Sequence, residues 1–456
     1  MENVEFSRDG KMLFKAYNVK GHFVVPNGVT VIDENAFESC KSLISISIAN
    51  SVTKIGRRAF CGCCSLTSIE IPDTVTEIGA WAFHACRSLI SIKIPNSMTE
   101  IGGWAFHACR SLTCIEIPNS VTKIDEYAFY DCRSLTSIKI PNSVMKIGEH
   151  AFCDCCSLTN IKIPNSVTEI GSSAFEDCKS LTSITIPNSM TKIDSSAFSG
   201  CSSLTSIEIS NSVTEIGSGA FMGCTSLTSI EISNSVTEIE GAAFASCSSL
   251  TSIKIPNSVT TIGPSAFEGC HLLTNIKIPN SVTEIGESAF QGCSSLTYIE
   301  IPHSVMVIGS RAFYACPIKC FSVDKDNPKY TSADGVLFDK SKETFIQFPA
   351  GKNINSYRVP NGIVSLGARA FGGTINLQEL FLPDSIRKID YHVFEHCEKL
   401  SKIHLRMEDP NLITIDDDAF RLFFLNQCTL YVPIGTGYAY RHHPVFGKFK
   451  EVIIER

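Results

Sequence analysis

A 23-residue period in phenylalanine constrains the fold of this chain more than any other feature of its sequence. A period of this length is typical of solenoids, in which each repeat contacts its neighbours and cannot bury a core alone. The length of 456 residues therefore measures a number of coils and not a number of globular domains. Thirteen residues form the unbroken series: Phe37, Phe60, Phe83, Phe106, Phe129, Phe152, Phe175, Phe198, Phe221, Phe244, Phe267, Phe290 and Phe313.

Each repeat has a pattern that predicts two extended segments and one tight turn. The unit that starts at Leu204 has the form L-T-S-I-x-I-x-N-S-V-T-x-I-G-x-x-A-F-x-x-C, with proline before the Asn in most repeats. The alternation in L-x-x-I-x-I predicts a strand with inward-pointing isoleucines, and Pro-Asn-Ser ends that strand because proline lacks a backbone donor. V-T-x-I predicts a second extended segment, and A-F-x-x-C predicts a single helical or 3-10 turn. Stacked coils would form a β-rich repeat solenoid with one long parallel sheet, short convex strands and continuous interior columns.

Cysteine forms a second column, three residues after the phenylalanine. Free cysteine behaves as a small buried hydrophobe, so a column of it indicates packing. Neighbouring coils would bring the thiols within about 4.8 Å, but parallel Cβ vectors do not favour the geometry of a disulfide. We therefore expect buried, reduced thiols. Fourteen of the 21 cysteines belong to this column: Cys40, Cys63, Cys86, Cys109, Cys132, Cys155, Cys178, Cys201, Cys224, Cys247, Cys270, Cys293, Cys316 and Cys397.

Charge and hydropathy indicate which partners to expect. The net charge is −7, with acidic and basic residues interspersed, so no basic stripe is available for nucleic acid. No stretch of about 18 apolar residues is present, so we expect no membrane insertion. Between the two strand isoleucines, five Glu and five Lys occupy an outward column from Glu70 to Glu300 and are predicted to neutralise one another.

No catalytic or cofactor motif is found. A glycine-rich phosphate loop, a zinc-binding spacing and a nucleophile elbow are all missing, so we expect no enzymatic activity and no cofactor. The best metal candidates are CGCC at 61–64 and CDCC at 153–156. Four coils separate them, and two thiolates are too few for a tetrahedral site, so we expect no metal.

The repeat resembles the BspA-like leucine-rich repeat family, the cysteine-containing type of bacterial and protist surface proteins. The likeness rests on L-x-x-I-x-I followed by I-P-N-S-V-T-x-I-G-x-x-A-F-x-x-C, and it covers about residues 23–432. Unlike the general leucine-rich repeat, this sequence has Ser or Thr at the ninth position, as at Thr74, Ser97 and Ser120. The inner turn bonding of ordinary leucine-rich repeats therefore does not carry over.

The resemblance implies leucine-rich-repeat coils and a non-catalytic role in protein–protein interaction or adhesion, including contacts with a host. We expect a monomer. The family is commonly exported, which implies a cell-surface or secreted location, whereas the N-terminal sequence shows no export signal and leaves a cytoplasmic location open.

Interruptions of the period predict five segments. The stretch GVLFDKSKETFIQF is predicted to form a hairpin that turns at 340–342. The C-terminal stretch is predicted to form a short helix and a closing strand, with His442 and His443 on the cap surface and not as metal ligands. The segments are an N-terminal capping module at 1–32, thirteen repeats at 33–316, a ladder-continuing repeat with the hairpin insertion at 317–358, three further repeats at 359–428 and a C-terminal cap at 429–456.

Three adjacent coils carry large residues at the outward corner beside the Phe-Cys turn, where most coils have small residues such as Ser173 and Ser196. A spacing of three places each trio along one side of the turn, and stacking sets the trios about 5 Å apart. His150 begins a fourth trio. We call the following nine residues the corner patch: Trp81, His84, Arg87, Trp104, His107, Arg110, Tyr127, Tyr130 and Arg133.

The corner patch is the candidate ligand-binding surface, because Trp, Tyr and Arg are enriched at binding hot spots. The expected ligand is a protein or a glycan. As an alternative function, a carbohydrate-binding adhesin would stack sugar rings on the same aromatics. A second alternative is a recent duplication of WAFHACRSL whose aromatics stabilise only their own ladder. The sheet face, with its Ser and Glu/Lys columns, is the alternative contact surface.

Overall fold

The computed structural model describes residues 4–455. The chain divides into two compact units, Met1–Leu250 and Thr251–Arg456. Each unit is a parallel β-solenoid, as the sequence predicts, and contains almost no helix. The finer division into five segments stays a prediction.

The first sheet of the first unit is built from the L-x-x-I-x-I motif. Neighbouring strands pair in parallel with a shift of one repeat, so that Ile92 lies beside Ile115. In each three-residue strand the central isoleucine is buried and its two neighbours are exposed. The strands are Gly21–Val24, Leu43–Ser47, Ser68–Glu70, Ser91–Lys93, Cys114–Glu116, Ser137–Lys139, Asn160–Lys162, Ser183–Thr185, Ser206–Glu208 and Ser229–Glu231.

The second sheet of this unit consists of two-residue strands from V-T-x-I. It begins with an antiparallel hairpin of Val4–Phe6 and Met12–Ala16, whose second strand pairs in parallel with Val31–Ile32. The strands that follow Val31–Ile32 are Lys54–Ile55, Glu77–Ile78, Glu100–Ile101, Lys123–Ile124, Lys146–Ile147, Glu169–Ile170, Lys192–Ile193, Glu215–Ile216 and Glu238–Ile239.

The A-F-x-x-C segment is a run of β-turns, so the predicted helical or 3-10 turn is wrong. Successive backbone amides alternate between two acceptors: one donates to a carbonyl of its own coil, and the following one donates to a carbonyl of the next coil. The amide of His84 donates to the carbonyl of Trp81 at 3.0 Å, whereas the amide of Phe83 donates to the carbonyl of Ala105 at 2.9 Å. The backbone is left-handed at Trp81 (φ 65°) and at Ala85 (φ 57°). Because every second amide is used between coils, a helix cannot form here.

The phenylalanine and cysteine columns are buried, as predicted. In the first unit the stacked phenylalanine rings have centroids 5.1–5.7 Å apart. In the first unit each column thiol donates to a backbone carbonyl, as Cys86 Sγ does to the carbonyl of Phe60 in the preceding coil at 3.2 Å. Burial raises the pKa of the Cys86 thiol well above its ordinary value. A thiol at this position therefore fills a small apolar space and satisfies a carbonyl, while its reduced state stays a prediction.

The predicted charge neutralisation on the outward column of the first sheet stays a prediction, and among the residues that the structure describes it involves no close ion pair. Glu116 and Lys139 are neighbours in register, yet no ion pair joins them. The close pairs lie instead on the second sheet, as between Lys54 and Glu77 at 2.8 Å. Exposed charges gain little from pairing, so water is an adequate partner for the first column.

The second unit repeats the same coil. Its first-sheet strands are Ser252–Lys254, Asn275–Lys277, Tyr298–Ile301, Cys320–Val323, Ser356–Arg358, Glu379–Leu382, Lys402–Leu405, Thr429–Val432 and Glu451–Ile454. Its second-sheet strands are Thr261–Ile262, Glu284–Ile285, Val307–Ile308, Tyr330–Ala333, Val336–Asp339, Thr344–Gln347, Ser365–Leu366, Lys388–Ile389 and Thr414–Ile415.

The insertion contains two hairpins. Val336–Asp339 pairs antiparallel with Thr344–Gln347, which confirms the predicted hairpin. A second hairpin, between Tyr330–Ala333 and Val336–Asp339, was not predicted. Asp334 and Gly335 form its turn with φ values of 49° and 77°, the conformation that an Asp-Gly pair favours.

The C-terminal cap has the predicted short helix, Gly437–His442, and the predicted closing strand, Glu451–Ile454. That strand pairs in parallel with Thr429–Val432. His442 is exposed, and its Nδ1 lies 2.8 Å from the carbonyl of Tyr438. The 3-10 helices of this unit are Pro410–Leu412, Leu425–Gln427 and Phe446–Lys448.

Candidate functional site

The structure brings the nine residues of the corner patch together as three columns. The first column is a continuous stack of rings. Trp81 stacks on Trp104 with centroids 4.4 Å apart, and Trp104 stacks on Tyr127 at 3.9 Å. Tyr127 in turn stacks on His150 at 4.7 Å, and the Arg58 guanidinium lies 5.2 Å from the Trp81 ring. Both ends of the stack are therefore covered, by Arg58 and by His150.

The second column consists of His84, His107 and Tyr130. The two imidazoles stack at 4.6 Å, and His107 stacks on Tyr130 at 4.9 Å. Nδ1 of His84 and Nδ1 of His107 are 2.8 Å apart, so one nitrogen donates and the other accepts. Trp81 contacts His84 edge-on at 5.1 Å, which ties the first column to the second.

Both histidines favour the neutral form. Burial, followed by the charges of Arg58 and Arg87, lowers the pKa of His84. Burial, followed by the neighbouring His84, lowers the pKa of His107 to about 4. The imidazole pair therefore carries little positive charge near neutral pH, and the positive charge of the patch comes from its arginines.

The third column consists of Arg87, Arg110 and Arg133, all exposed. Arg110 Nε and Nη2 each lie 2.8 Å from Oδ2 of Asp131, and Arg133 Nε donates to Oδ1 of the same carboxylate. Asp131 is only 5% exposed, so this carboxylate fixes two of the three guanidinium groups. Charge-assisted hydrogen bonds of this kind reduce the conformational freedom that a partner would otherwise have to restrict.

Sequence reasoning missed Arg58 and Asp131. Arg58 occupies the repeat position of Trp81 one coil earlier, so a longer alignment of the repeats shows it. Asp131 occupies the second left-handed position of its coil (φ 58°), where the sequence predicted only a turn. Asp131 binds Arg110 only because the Arg110 side chain extends towards it from the preceding coil, and the sequence does not specify the direction of that side chain.

A cavity of about 390 Å³ borders the patch where its stack ends. Trp104, Tyr127 and Tyr130 form one side of its lining, and Asp154 and Asp177 contribute carboxylates. The surface therefore changes from aromatic and cationic to acidic within a few coils, which suits a partner that carries both apolar and charged groups.

A second row of stacked side chains lies on the first-sheet face of the second unit, and sequence reasoning missed it. The Arg358 guanidinium lies 4.2 Å from the Phe381 ring, Phe381 stacks on His404 at 4.1 Å, and His404 stacks on Tyr431 at 4.4 Å. Nε2 of His404 is 3.1 Å from Oε1 of Glu379. Arg358, Phe381, His404 and Tyr431 occupy the repeat position of the outward Glu/Lys column beyond the insertion. An alignment of the repeats would therefore have predicted this row.

Parallel strands stacked at a 23-residue period over buried columns define a leucine-rich repeat solenoid. The model of the BspA type leucine rich repeat region matches residues 10–136, 122–226, 214–343 and 346–436, and the chain belongs to this family, as the sequence predicts. Leucine-rich repeat proteins of this kind are generally protein-interaction scaffolds and typically lack enzymatic activity.

Several solved structures are similar to this chain. A leucine-rich repeat protein from Bacteroides ovatus is 30% identical, with a TM-score of 0.59, over 72% of this chain and 94% of that chain. One from Eubacterium ventriosum is 24% identical, with a TM-score of 0.44, over 65% of this chain and 94% of that chain. A leucine rich cell surface protein from Faecalibacterium prausnitzii is 22% identical, with a TM-score of 0.27, over 99% of this chain and 93% of that chain. No curated protein matches significantly.

Among residues 4–455, no helix has the length and apolar character needed to cross a membrane.

Proposed function

We propose that this chain is a non-catalytic protein-interaction scaffold and that the corner patch is its principal contact with a protein partner. The observation that carries the proposal is the placement of Trp81, Trp104, Tyr127 and His150. These large rings occupy four consecutive coils at a backbone position that small residues, from Ser173 to Ser288, occupy in the next six coils.

The fold requires a left-handed backbone at this position but not an aromatic side chain. Trp81 and Trp104 have φ values of 65° and 62°, while Ser173, Ser196 and Gly219 adopt the same conformation with small side chains. A left-handed conformation costs an L-residue roughly 1–2 kcal/mol, and it is least suited to bulky residues.

Stacking alone is a weak reason for these rings. An aromatic pair contributes about 0.5–1.5 kcal/mol beyond its buried area. The coils of Ser173, Ser196 and Gly219 form the same turn without this contribution, so the fold does not depend on the aromatic ladder. A contact with a partner is the better explanation, because the half-buried ring edges and the guanidinium groups of Arg87, Arg110 and Arg133 remain accessible.

The geometry favours a protein over a glycan. Sugar rings stack on the open faces of aromatic side chains. In the corner patch the faces of Trp104 and Tyr127 are covered by their neighbours, and Arg58 lies over Trp81. What remains is a set of edges and cationic groups, which matches carboxylates, carbonyl groups and apolar side chains of a protein surface.

The finer part of the proposal is adhesion: the partner would be a protein on a host or neighbouring cell. Membership of the BspA-type family supports this part. The geometry of the patch does not depend on it, so a soluble protein partner would leave the main proposal intact.

A comparative pull-down tests the proposal. The baits are the intact protein, the double variant Trp81→Ser with Trp104→Ser, and the control Tyr298→Ser, which removes a 50% exposed aromatic from the other unit. We expect proteins that are captured by the wild type and the control and lost from the double variant. Equal capture by all three baits would contradict the proposal. Glycan-array binding that is lost in Trp81→Ala would favour the carbohydrate-binding alternative.

A further inference from the structure

We propose that His150, Cys153 and Glu176 bind one Zn²⁺ ion and leave one coordination position open to the adjoining cavity. The proposal concerns a metal site next to the corner patch and does not depend on the proposed function. It differs from the paired-cysteine motif considered in the sequence, because only one thiol takes part and the other ligands come from a histidine and from the next coil.

The repeat places the three side chains at one corner. His150 and Cys153 are three residues apart in one turn, and the amide of Cys153 donates to the carbonyl of His150 at 3.2 Å. Glu176 follows Cys153 by one period of 23 residues, so it occupies the same position in the next coil. The amide of Asp154 donates to the carbonyl of Glu176 at 2.9 Å, which holds the two coils together at this point.

The ligand atoms are close to the spacing that a tetrahedral zinc ion needs. The imidazole nitrogen, the Cys153 sulfur and a carboxylate oxygen of Glu176 all lie within 4.8 Å of one another. His150 Nδ1 is 3.9 Å from Glu176 Oε2. Zinc bonds of about 2.0–2.3 Å set neighbouring ligand atoms roughly 3.3–3.6 Å apart. Binding of the ion therefore requires side-chain rotations of Glu176 and His150 that shorten these separations.

A second observation points independently to a ligand. His150 Nδ1 is buried, and no hydrogen-bond partner reaches it. A buried ring nitrogen without a partner is uncommon, because its desolvation is not compensated. Coordination to a metal would satisfy it. The other nitrogen, Nε2, lies 3.5 Å from Oε1 of Glu149, where a carboxylate would orient a metal-bound imidazole.

The surroundings and the ligand set favour zinc among the common ions. Asp154 and Asp177 line the same cavity and add negative charge near the site. One imidazole, one thiolate and one carboxylate suit Zn²⁺, whereas Ca²⁺ and Mg²⁺ prefer oxygen ligands throughout. On binding, the Cys153 thiol loses its proton to solvent and the thiolate coordinates the ion.

Titration of the metal-free, reduced, intact protein with Zn²⁺ against a chromophoric chelator tests the site. We expect one ion per folded chain. His150→Ser and Cys153→Ser introduce the residue found at the equivalent positions Ser173 and Ser199, so both variants should fold. Each should weaken binding by about 100-fold or more, since even the outer partners of zinc ligands contribute about 10–100-fold. Glu176→Gln keeps the side-chain shape and should also weaken binding.

The matched control is Cys156→Ser, which removes a half-buried thiol from the same coil but outside the proposed ligand set. It should bind Zn²⁺ as the wild type does. Co²⁺ bound to the wild type should show a thiolate-to-metal charge-transfer band that is absent from Cys153→Ser and present in Cys156→Ser. The proposal is overturned if the folded wild type binds no Zn²⁺ in this competition, or if His150→Ser and Cys153→Ser bind it as tightly as the wild type.

Discussion

Truncation of one ring in the middle of the phenylalanine column should destabilise the first unit strongly. Phe221 is fully buried, and its ring stacks between Phe198 at 5.7 Å and Phe244 at 5.5 Å. Phe221→Ala removes both stacking contacts and opens a cavity between coils that the backbone hydrogen bonds keep from collapsing. Truncation of a buried phenylalanine costs about 3–5 kcal/mol. Because coils contact only their neighbours, we expect the loss to be local and to split the cooperativity of the array.

Urea unfolding followed by two probes measures this effect. Far-UV circular dichroism reports all coils, whereas fluorescence reports the coils of Trp81 and Trp104, the only two tryptophans in the chain. In Phe221→Ala the circular dichroism transition should move to lower urea, while the fluorescence transition moves less. Met222→Ala is the matched control, since its side chain is 40% exposed in the same turn and should change the free energy of unfolding by less than about 0.5 kcal/mol. A loss below about 1 kcal/mol in Phe221→Ala would refute the assignment of the ring to the core.

Two further predictions concern the thiols and the histidine pair. In the native protein a thiol reagent should modify the exposed Cys114 and Cys320 first, and the column thiols should react only on unfolding; oxidised pairs in mass spectra of alkylated native protein would contradict the reduced column. The pKa of His107 is lowered from 6.5 to about 4 in the folded protein. Between these two pH values the unfolded chain therefore binds more protons than the folded chain. The free energy of unfolding should be highest above pH 6.5 and should fall as the pH falls towards 4. His107→Ser should reduce this pH dependence of the urea midpoint, and an unchanged pH dependence would count against the neutral imidazole.

The sequence was sufficient for the columns because each is a single residue type at a fixed period. The residue types of Phe221 and Cys224 recur in all thirteen regular repeats, and burial explains both columns. The turn was predicted wrongly because a spacing of three is common to a helical turn and to consecutive β-turns. Gly219 and Gly223, both with positive φ, mark the left-handed positions that distinguish the two.

The candidate site was predictable in part for a similar reason. The rings of Trp81, Trp104 and Tyr127 align because they occupy one repeat position. Two features of the site depend on side-chain rotamers and on contacts between coils. One is the hydrogen bond from Arg110 to Asp131, and the other is the close approach of His150, Cys153 and Glu176. Those quantities are set by packing in three dimensions, so a one-dimensional pattern does not contain them.

The affinity of the double variant Trp81→Ser with Trp104→Ser for a partner recovered by the pull-down tests the central claim most directly. The variant loses two stacked ring pairs worth about 1–3 kcal/mol together, and it also loses the ring contacts of the two tryptophans with His84 and His107 and the contact of Arg58 with Trp81. The long repeat array should remain folded, as circular dichroism can verify. We expect the binding free energy to weaken by about 2 kcal/mol or more, as for hot-spot residues. Unchanged affinity in the folded variant would contradict the assignment of the corner patch and would move the contact to the sheet face.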